Sequence, residues 1–481
     1  MLKKRTILNE CIFVLTIFIS LFLFTEVSFS TDMFLIRCMK IAESRDQKLA
    51  IAYEQIKLAQ SRTIRAARSF FPQVMFQHTA SKGTTAMALK NDGSGNFDDY
   101  EYKSESYGIK VSQPIYEGYR TRGAYEYESM MVTAAKFNYT KIREELFSKV
   151  KLAYYEYITL KQEYNALASA NEIVSSLFNK IQKEYKAKAI SQLDLLEAEH
   201  FKDKIYDMYE AAHINMNFSL KKLINVVGIN DVVEVNAKEL NTLPDDVPEI
   251  SFSLDSLLKF VLTNNLDVQT AKVQTDMANM KIKINISKII PKFYVDGFYG
   301  KSGEAFTTNP LELSTSWNVA GRLSWGLWGN SLEATLSKER TDPTTIVDAS
   351  KRVDTVTQDI KFSLLDDLGY FVDAKESKVG FNQTSADYVE VLKTKRLDSE
   401  KAYNDYLNSL NNTRTFRKEI TYRKKKLDLL KKQNSLYAVS TVNLMEETLK
   451  YAEAISGYAK ATYQNYSSVT EMETLTLIPL R

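Results

Sequence analysis

Few residues in this chain of 481 have the types and spacing that covalent chemistry needs. Its three histidines, His78, His200 and His213, are scattered and show no metal-ligand spacing. No phosphate-cradling glycine loop is present. No nucleophile–base pair can be assembled, so the reading is a non-enzyme that needs no cofactor. What does recur is a serine opening a short acidic phrase, AISQLDLLEAE at 189–199 and AVSTVNLMEET at 438–448. Asp194 and Glu197 stand one helical turn apart in the first, and Asn443 and Glu446 hold those places in the second. The chemistry open to such groups is electrostatic. They are solvated or capping residues stabilised by a helix N-terminus, or, repeated by symmetry around a narrow passage, they concentrate negative potential and attract cations.

The bulk numbers bound the rest. A net charge of +3 argues against a dominant nucleic-acid footprint. The run RKKKLDLLKK at 423–432 reads as the solvated face of a long helix. With only 16 glycines and 8 prolines, long uninterrupted helices are expected, while 28 tyrosines and 24 phenylalanines suit strands and membrane interfaces. Residues 1–30 read as a cleaved signal peptide: Lys3, Lys4 and Arg5 precede an apolar run from Ile12 to Phe24, followed by Ser28-Phe29-Ser30. An uncleaved inner-membrane anchor is the rival reading. Without Cys11 the mature chain keeps Cys38 alone, so no intramolecular disulfide is expected. No later segment is apolar for the length of a membrane helix, so any further crossing must be a β-barrel.

The elements that would position these groups come in two copies of one plan. Pro72 and Pro291 are 219 residues apart (291 − 72), and at that offset Leu35 meets Leu254, Leu49 meets Val268, Ala52 meets Ala271 and Leu58 meets Met277. Leu49, Ala52, Ile56 and Ala59 recur at helical spacing, which predicts an amphipathic helix in both copies, with Asp32 and Ser253 as N-caps. KVSQPIYEGYRTRGAYE at 110–126 answers RLSWGLWGNSLEATLSK at 322–338. From Ser112 to Ser324 the offset is 212, and from Ser191 to Ser440 it is 249, so the second copy carries 37 extra residues (249 − 212). Pro343 lies within that stretch and is expected to break or kink a helix.

The first copy is placed at 31–228, with strands at about 71–81 and 105–117 and a tip turn at about 188–192. Residues 229–253 form a linker with one short strand at Val232–Val235. The second copy is placed at 254–481, with strands at about 291–301 and 315–328, helices carrying the insertion, and a tip turn at about 437–441. Thr121 to Ala189 lacks proline, which predicts a helix of about 100 Å packed as a coiled coil.

The strands alternate. Phe293, Val295 and Tyr299 oppose Tyr294, Asp296 and Phe298; Trp317, Val319, Leu323 and Trp325 oppose Asn318, Arg322 and Ser324; Tyr107, Ile109 and Val111 oppose Gly108, Lys110 and Ser112. This fits an outer-membrane barrel or a half-buried soluble sheet. The polar stretches 82–104 and 302–314 suit external loops. Four strands cannot close a barrel alone, so strands in lipid require several copies sharing one wall.

FFPQV and IIPKF at the first and third strands, VSQPIYEG and LSWGLWGN where strands give way to helices, and SQLDLLEAE and STVNLMEET after the helical turns together resemble the TolC-like outer-membrane efflux family over essentially the whole mature chain. The resemblance implies a mixed fold: a membrane β-barrel shared by a homotrimer, four strands per chain, continuing into a long α-helical coiled-coil barrel. It implies an outer-membrane location in a Gram-negative-type bacterium, extending into the periplasm, and a passive exit duct in tripartite efflux or type I secretion. The implied partners are a periplasmic adaptor, an inner-membrane transporter and outer-membrane lipid, with no nucleic acid. The family's periplasmic gate falls by motif position on Asn443 and Glu446, with Asp194 and Glu197 as first-half equivalents. The glycine usual before the turn is replaced by Lys188 and Tyr437. Lys110 and Arg322 fall on the barrel interior, and Pro72 and Pro291 at the junction of helix and barrel. Trp317, Trp325 and Trp328 are girdle or packing residues, with Trp328 where a strand is expected to give way to a helix. The alternative is a membrane-tethered periplasmic coiled-coil scaffold with small soluble sheets.

Overall fold

The computed structural model describes residues 33–89, 97–229, 250, 253–306, 310–342, 353–436 and 439–479. The expected signal peptide, the N-cap Asp32, the strand at Val232–Val235, Pro343 and Tyr437 lie outside these residues. Two compact units emerge. A helical unit takes the residues up to Asp46, Arg143–Leu258 and Ser399 onward; a sheet unit takes Gln47–Ile142 and Lys259–Asp398.

In chain order the helices are α1 (Met33–Arg45), α2 (Gln47–Arg68), α3 (Arg120–Lys186), α4 (Gln192–Val227), α5 (Leu254–Asn264), α6 (Leu266–Ile286), α7 (Gly369–Ser435) and α8 (Thr441–Thr476). The strands are β1 (Gln73–Leu89), β2 (Phe97–Tyr116), β3 (Lys292–Phe306), β4 (Ser314–Leu327), β5 (Asn330–Thr341) and β6 (Val353–Ser363). Helices α3 and α7 are each 67 residues long, and α4 and α8 are each 36. Both pairs start 249 residues apart (369 − 120 and 441 − 192). Among the described residues no helix is long and apolar enough to cross a membrane.

Helices of this length owe their stability to packing rather than propensity. In the helical unit, Phe34 and Cys38 of α1 meet Val150 and Tyr154 of α3 and Leu223 and Val227 of α4 in one core. Further along, Val174 and Ile181 of α3, Ala198 and Ile205 of α4, and Met445 and Ala452 of α8 form a second. Each buried valine or isoleucine contributes about 1.5–3 kcal/mol. Tyr155 stacks on Tyr466 at 4.2 Å between ring centroids, and Lys151 pairs with Glu473 at 2.9 Å. Cys38 is buried and forms no disulfide among the described residues.

In the sheet unit, α2 buries Leu49, Ala52, Ile56 and Ala59, the face its spacing predicts. Asp267 near the start of α6 is gripped by Lys141 at 2.6 Å and Lys395 at 3.0 Å. Burial pushes its carboxyl up, but the two ammonium groups more than offset this and hold it below its ordinary value. Ser253 caps α5 by accepting the N–H of Ser256.

The sheet corrects the expected strand count. The described residues form six strands, not four, in the order β1 to β6, all neighbours antiparallel. The added pair comes from the extra residues that were expected to interrupt a helix. At Trp328 and Gly329 φ is +46° and +92°. Two successive left-handed residues make a two-residue hairpin turn whose twist matches that of the strands. The chain therefore turns back at Trp328 into β5 instead of entering a helix, and the helix begins only at Gly369. β1 and β2 also run well into 82–104, the stretch expected as a loop, and β3 runs into 302–306.

Candidate functional site

Strand register assigns every side chain to a face. One face carries Val74, Phe76, Ile109, Val111, Phe293, Val295, Tyr299, Trp317, Val319, Leu323 and Trp325, continued by Leu332, Leu336, Val356, Ile360 and Phe362 on the added pair. These are not core residues: Phe76 is 70% exposed, Tyr299 66% and Val356 66%. So large an exposed apolar surface marks contact with a partner or a membrane. Its height fits a bilayer. Trp317 and Trp325 share the face nine residues apart inclusive, about 27 Å along the strand, and a membrane-crossing strand needs about nine to eleven residues. At the loop end Lys338, Arg340 and Asp354 take over the face; Arg340 pairs with Asp354 and lies 5.5 Å over the Trp317 ring. At the helix end the exposed Trp328, Leu364, Leu365 and Leu368 follow. Trp328 thus stands in a hairpin turn rather than at the start of a helix.

The opposite face is polar. Lys110 and Arg322 both lie on it, as expected, in company with Ser112, Asp296, Asn318, Thr335 and Asp359. Lys110 is exposed. Arg322 is not a free charge: its Nε donates to Asp296 at 3.2 Å and its guanidinium sits 4.6 Å over Tyr294. Ser112 donates to the other Asp296 oxygen at 2.5 Å.

Pro72 and Pro291 each immediately precede a strand, β1 and β3. Arg68 donates to the Pro72 carbonyl at 2.9 Å. Before Pro291 the helix tightens into a 3₁₀ turn at Ser287–Ile289. Proline suits both places because it ends a helix and is tolerated at a strand's start.

The tip groups separate into different roles. Between α3 and α4, Lys188 takes φ +58°, the Lys188 N–H reaches the Tyr185 carbonyl and the Ala189 N–H reaches that of Glu184, both at 2.9 Å. This is a Schellman stop built without its usual glycine. Ser191 then caps α4 in a capping box: Asp194 N–H donates to Ser191 Oγ, and Ser191 N–H and Oγ donate to Asp194 at 3.0 and 2.8 Å. The serine hydrogen bonds hold the Asp194 carboxyl below its ordinary value. Asp194 is therefore a capping residue, while Glu197 is exposed. Ser440 caps α8 through the Asn443 N–H at 3.2 Å, and the Asn443 side chain is exposed. Glu446 pairs with Lys450 on its own helix.

Sequence reasoning missed the neighbouring carboxylate. Glu447 is only 3% exposed and accepts from Arg423 at 3.2 Å and Lys426 at 2.7 Å. The hydrogen bond to Glu447 raises Lys426; burial lowers Arg423, but Glu447 outweighs it and leaves that group raised too. The two cations come from the run read as a solvated face; Lys426 keeps 40% of its side chain exposed while Arg423 keeps 23%, and both turn their charged ends to Glu447. Among the described residues no three histidine, cysteine or acidic side chains stand close enough to hold a metal ion.

A six-stranded antiparallel sheet with one apolar and one polar face, in a chain that also carries two pairs of long helices, is the fold that a relative must match. The sequence model of the outer membrane efflux protein family matches residues 39–201 of the chain. No curated protein sequence matches the chain. Solved outer-membrane proteins share its fold over nearly its full length. CmeC of Campylobacter jejuni is 14% identical with a TM-score of 0.63, covering 92% of this chain and 86% of its own. VceC of Vibrio cholerae is 10% identical with a TM-score of 0.64, covering 92% and 96%. Open-state MtrE of Neisseria gonorrhoeae is 13% identical with a TM-score of 0.63, covering 93% and 89%.

Proposed function

We propose that the chain is one subunit of a passive outer-membrane channel, in which three copies share a β-barrel and their long helices continue it into the periplasm. The observation that carries this reading is the sheet: one exposed apolar face, one polar face and two open edges. In lipid each unpaired backbone group costs several kcal/mol, and six strands fall short of the eight needed to close alone. Copies of the chain must supply the missing wall. The apolar face then meets lipid and the polar face, with Lys110 and Arg322, lines the pore.

The matched lengths of α3 with α7 and α4 with α8 support an internal duplication. Pro72 and Pro291 mark where each half passes from helix to barrel. Glu446, with Asn443, Asp194 and Glu197, belongs to the periplasmic gate. The duct serves a tripartite efflux pump or a type I secretion system. It docks to a periplasmic adaptor and an inner-membrane transporter and passes small molecules or polypeptides. Fractionation and planar-bilayer recording test the reading: outer-membrane recovery, a trimeric mass and discrete conductance are expected. Recovery in the soluble periplasm or inner membrane sinks it.

A further inference from the structure

The β5–β6 pair extends the wall rather than decorating it. Resting on the channel reading above, we propose that β6 of one copy pairs with β1 of the next, so that three copies close a barrel of eighteen strands instead of twelve.

Three observations carry this. First, the edge of β4 is already filled. Its ladder with β5 is continuous from Ser316↔Thr341 to Leu327↔Asn330, and β5 is paired in turn with β6 from Ser331↔Ser363 to Thr341↔Val353. A neighbouring β1 cannot reach β4 without breaking that ladder, whereas β6 offers an open edge.

Second, the added strands obey the sheet's own division of faces. Leu332, Leu336, Val356, Ile360 and Phe362 continue the apolar side; Glu333, Thr335, Thr357, Asp359 and Lys361 continue the polar one. A hairpin folded away over the loops has no need of a lipid-facing stripe.

Third, direction and anchorage agree. With six alternating strands, β6 runs opposite to β1, so their pairing keeps the whole wall antiparallel. The hairpin turn is also tied to the start of α7. Asn330 accepts from the Leu365 N–H at 2.9 Å, Asp367 N–H reaches the Gly329 carbonyl at 3.3 Å, and Ser331 bonds Asp366. Strand β6 therefore ends on the helix side of the sheet, as β1 begins there.

At about 4.8 Å between strands and about 40° tilt, eighteen strands give a barrel about 36 Å across its backbone, against about 24 Å for twelve. The opening is thus of porin width.

Disulfide trapping tests the seam in the full-length protein in its outer membrane, in a Cys38→Ala background. Thr355→Cys, Thr357→Cys or Asp359→Cys in β6 is combined with Met75→Cys, Gln77→Cys or Thr79→Cys in β1. Oxidation is expected to yield covalent dimers and trimers. Asn318→Cys or Ala320→Cys in β4, paired with the same β1 positions, is expected to yield none. Links from β1 to β4 in a stable trimer overturn the eighteen-strand wall and leave the channel reading standing; loss of both trimer and outer-membrane recovery overturns both. Because paired cysteines can impair assembly, electron cryomicroscopy of the wild-type protein in nanodiscs gives an independent count. Eighteen strands support the proposal and twelve overturn it.

Discussion

The first and second halves of the chain use long helices of equal length and put different chemistry on them. At equivalent places 249 residues apart, the first half sets Val174 against Ala198 in an apolar core, while the second sets Arg423 and Lys426 around a buried Glu447. At the tips, the first half has a carboxylate in its cap and the second an asparagine. At the strand exits, Gly118 and Tyr119, at φ +59° and +82°, lead straight into α3, whereas Trp328 and Gly329 lead into another hairpin. The geometry of a long helical hairpin thus tolerates either packing. The ionic version is a choice that needs all its partners, since a buried charge left alone is far more costly than none.

That contrast is most directly broken by giving the second half the first half's residues. Arg423→Val with Lys426→Leu strands Glu447 and is expected to cost about 3–5 kcal/mol, read as a fall in the urea midpoint of the purified protein. Adding Glu447→Ala is expected to restore most of it. If the double variant is as stable as wild type, the triad is not what holds that depth of the hairpin.

The strand exits differ next. Gly329→Ala places a side chain at φ +92° and within 3.3 Å of Leu368. The expected cost is about 1–2 kcal/mol, confined to hydrogen-exchange protection of β5 and β6. Protection lost equally from β1 and β2 would refute a local turn. At the first tip, Lys188→Gly relieves a non-glycine left-handed residue and is expected to gain about 1 kcal/mol; a loss of stability would show that the Lys188 side chain has a role of its own.

The tips also differ in their response to acid. Asp194 is held below the ordinary aspartate value of 3.8. Its capping contribution is therefore complete above that value and is lost as pH falls through the lower folded one. Hydrogen-exchange protection at 191–200, corrected for the intrinsic exchange rate, should fall as pH drops below the ordinary aspartate value, and Asp194→Asn should lose that pH dependence. The smallest effect is electrical. Glu446→Gln is expected to reduce cation selectivity, and Lys450→Met, which releases Glu446 from its ion pair, to increase it. Unchanged selectivity in both would remove Glu446 from the gate.

Much of this was legible in the sequence because the signals were strong and local. The alternation of β3 and β4, the face of α2 and the two prolines all follow from single-residue periodicity. The added strands were not, for a specific reason: Leu332 and Leu336, or Val356 and Ile360, stand four apart and fit a helix as well as alternate positions of a strand. The Trp-Gly pair offered a turn signal, and the valines and threonines of 353–357 favoured a strand, but Trp-Gly lacks the asparagine or aspartate that usually announces such a turn. The triad at Glu447 was hidden differently. Its members are 21 and 24 residues apart across a helical turn, and which of Glu446 and Glu447 points inward depends on packing that periodicity alone does not decide.

One consequence follows from where the added hairpin begins and ends. Gly329 and Asp367 are hydrogen-bonded neighbours, so everything between them departs from and returns to nearly one spot. Such a segment is a cassette. It can be removed, or a second one set beside it, without re-aiming the helix that follows. In the proposed wall of three copies, each change of one hairpin alters the count by six strands and keeps the total even. Pore width in such a wall would be graded in coarse steps, one hairpin per copy at a time.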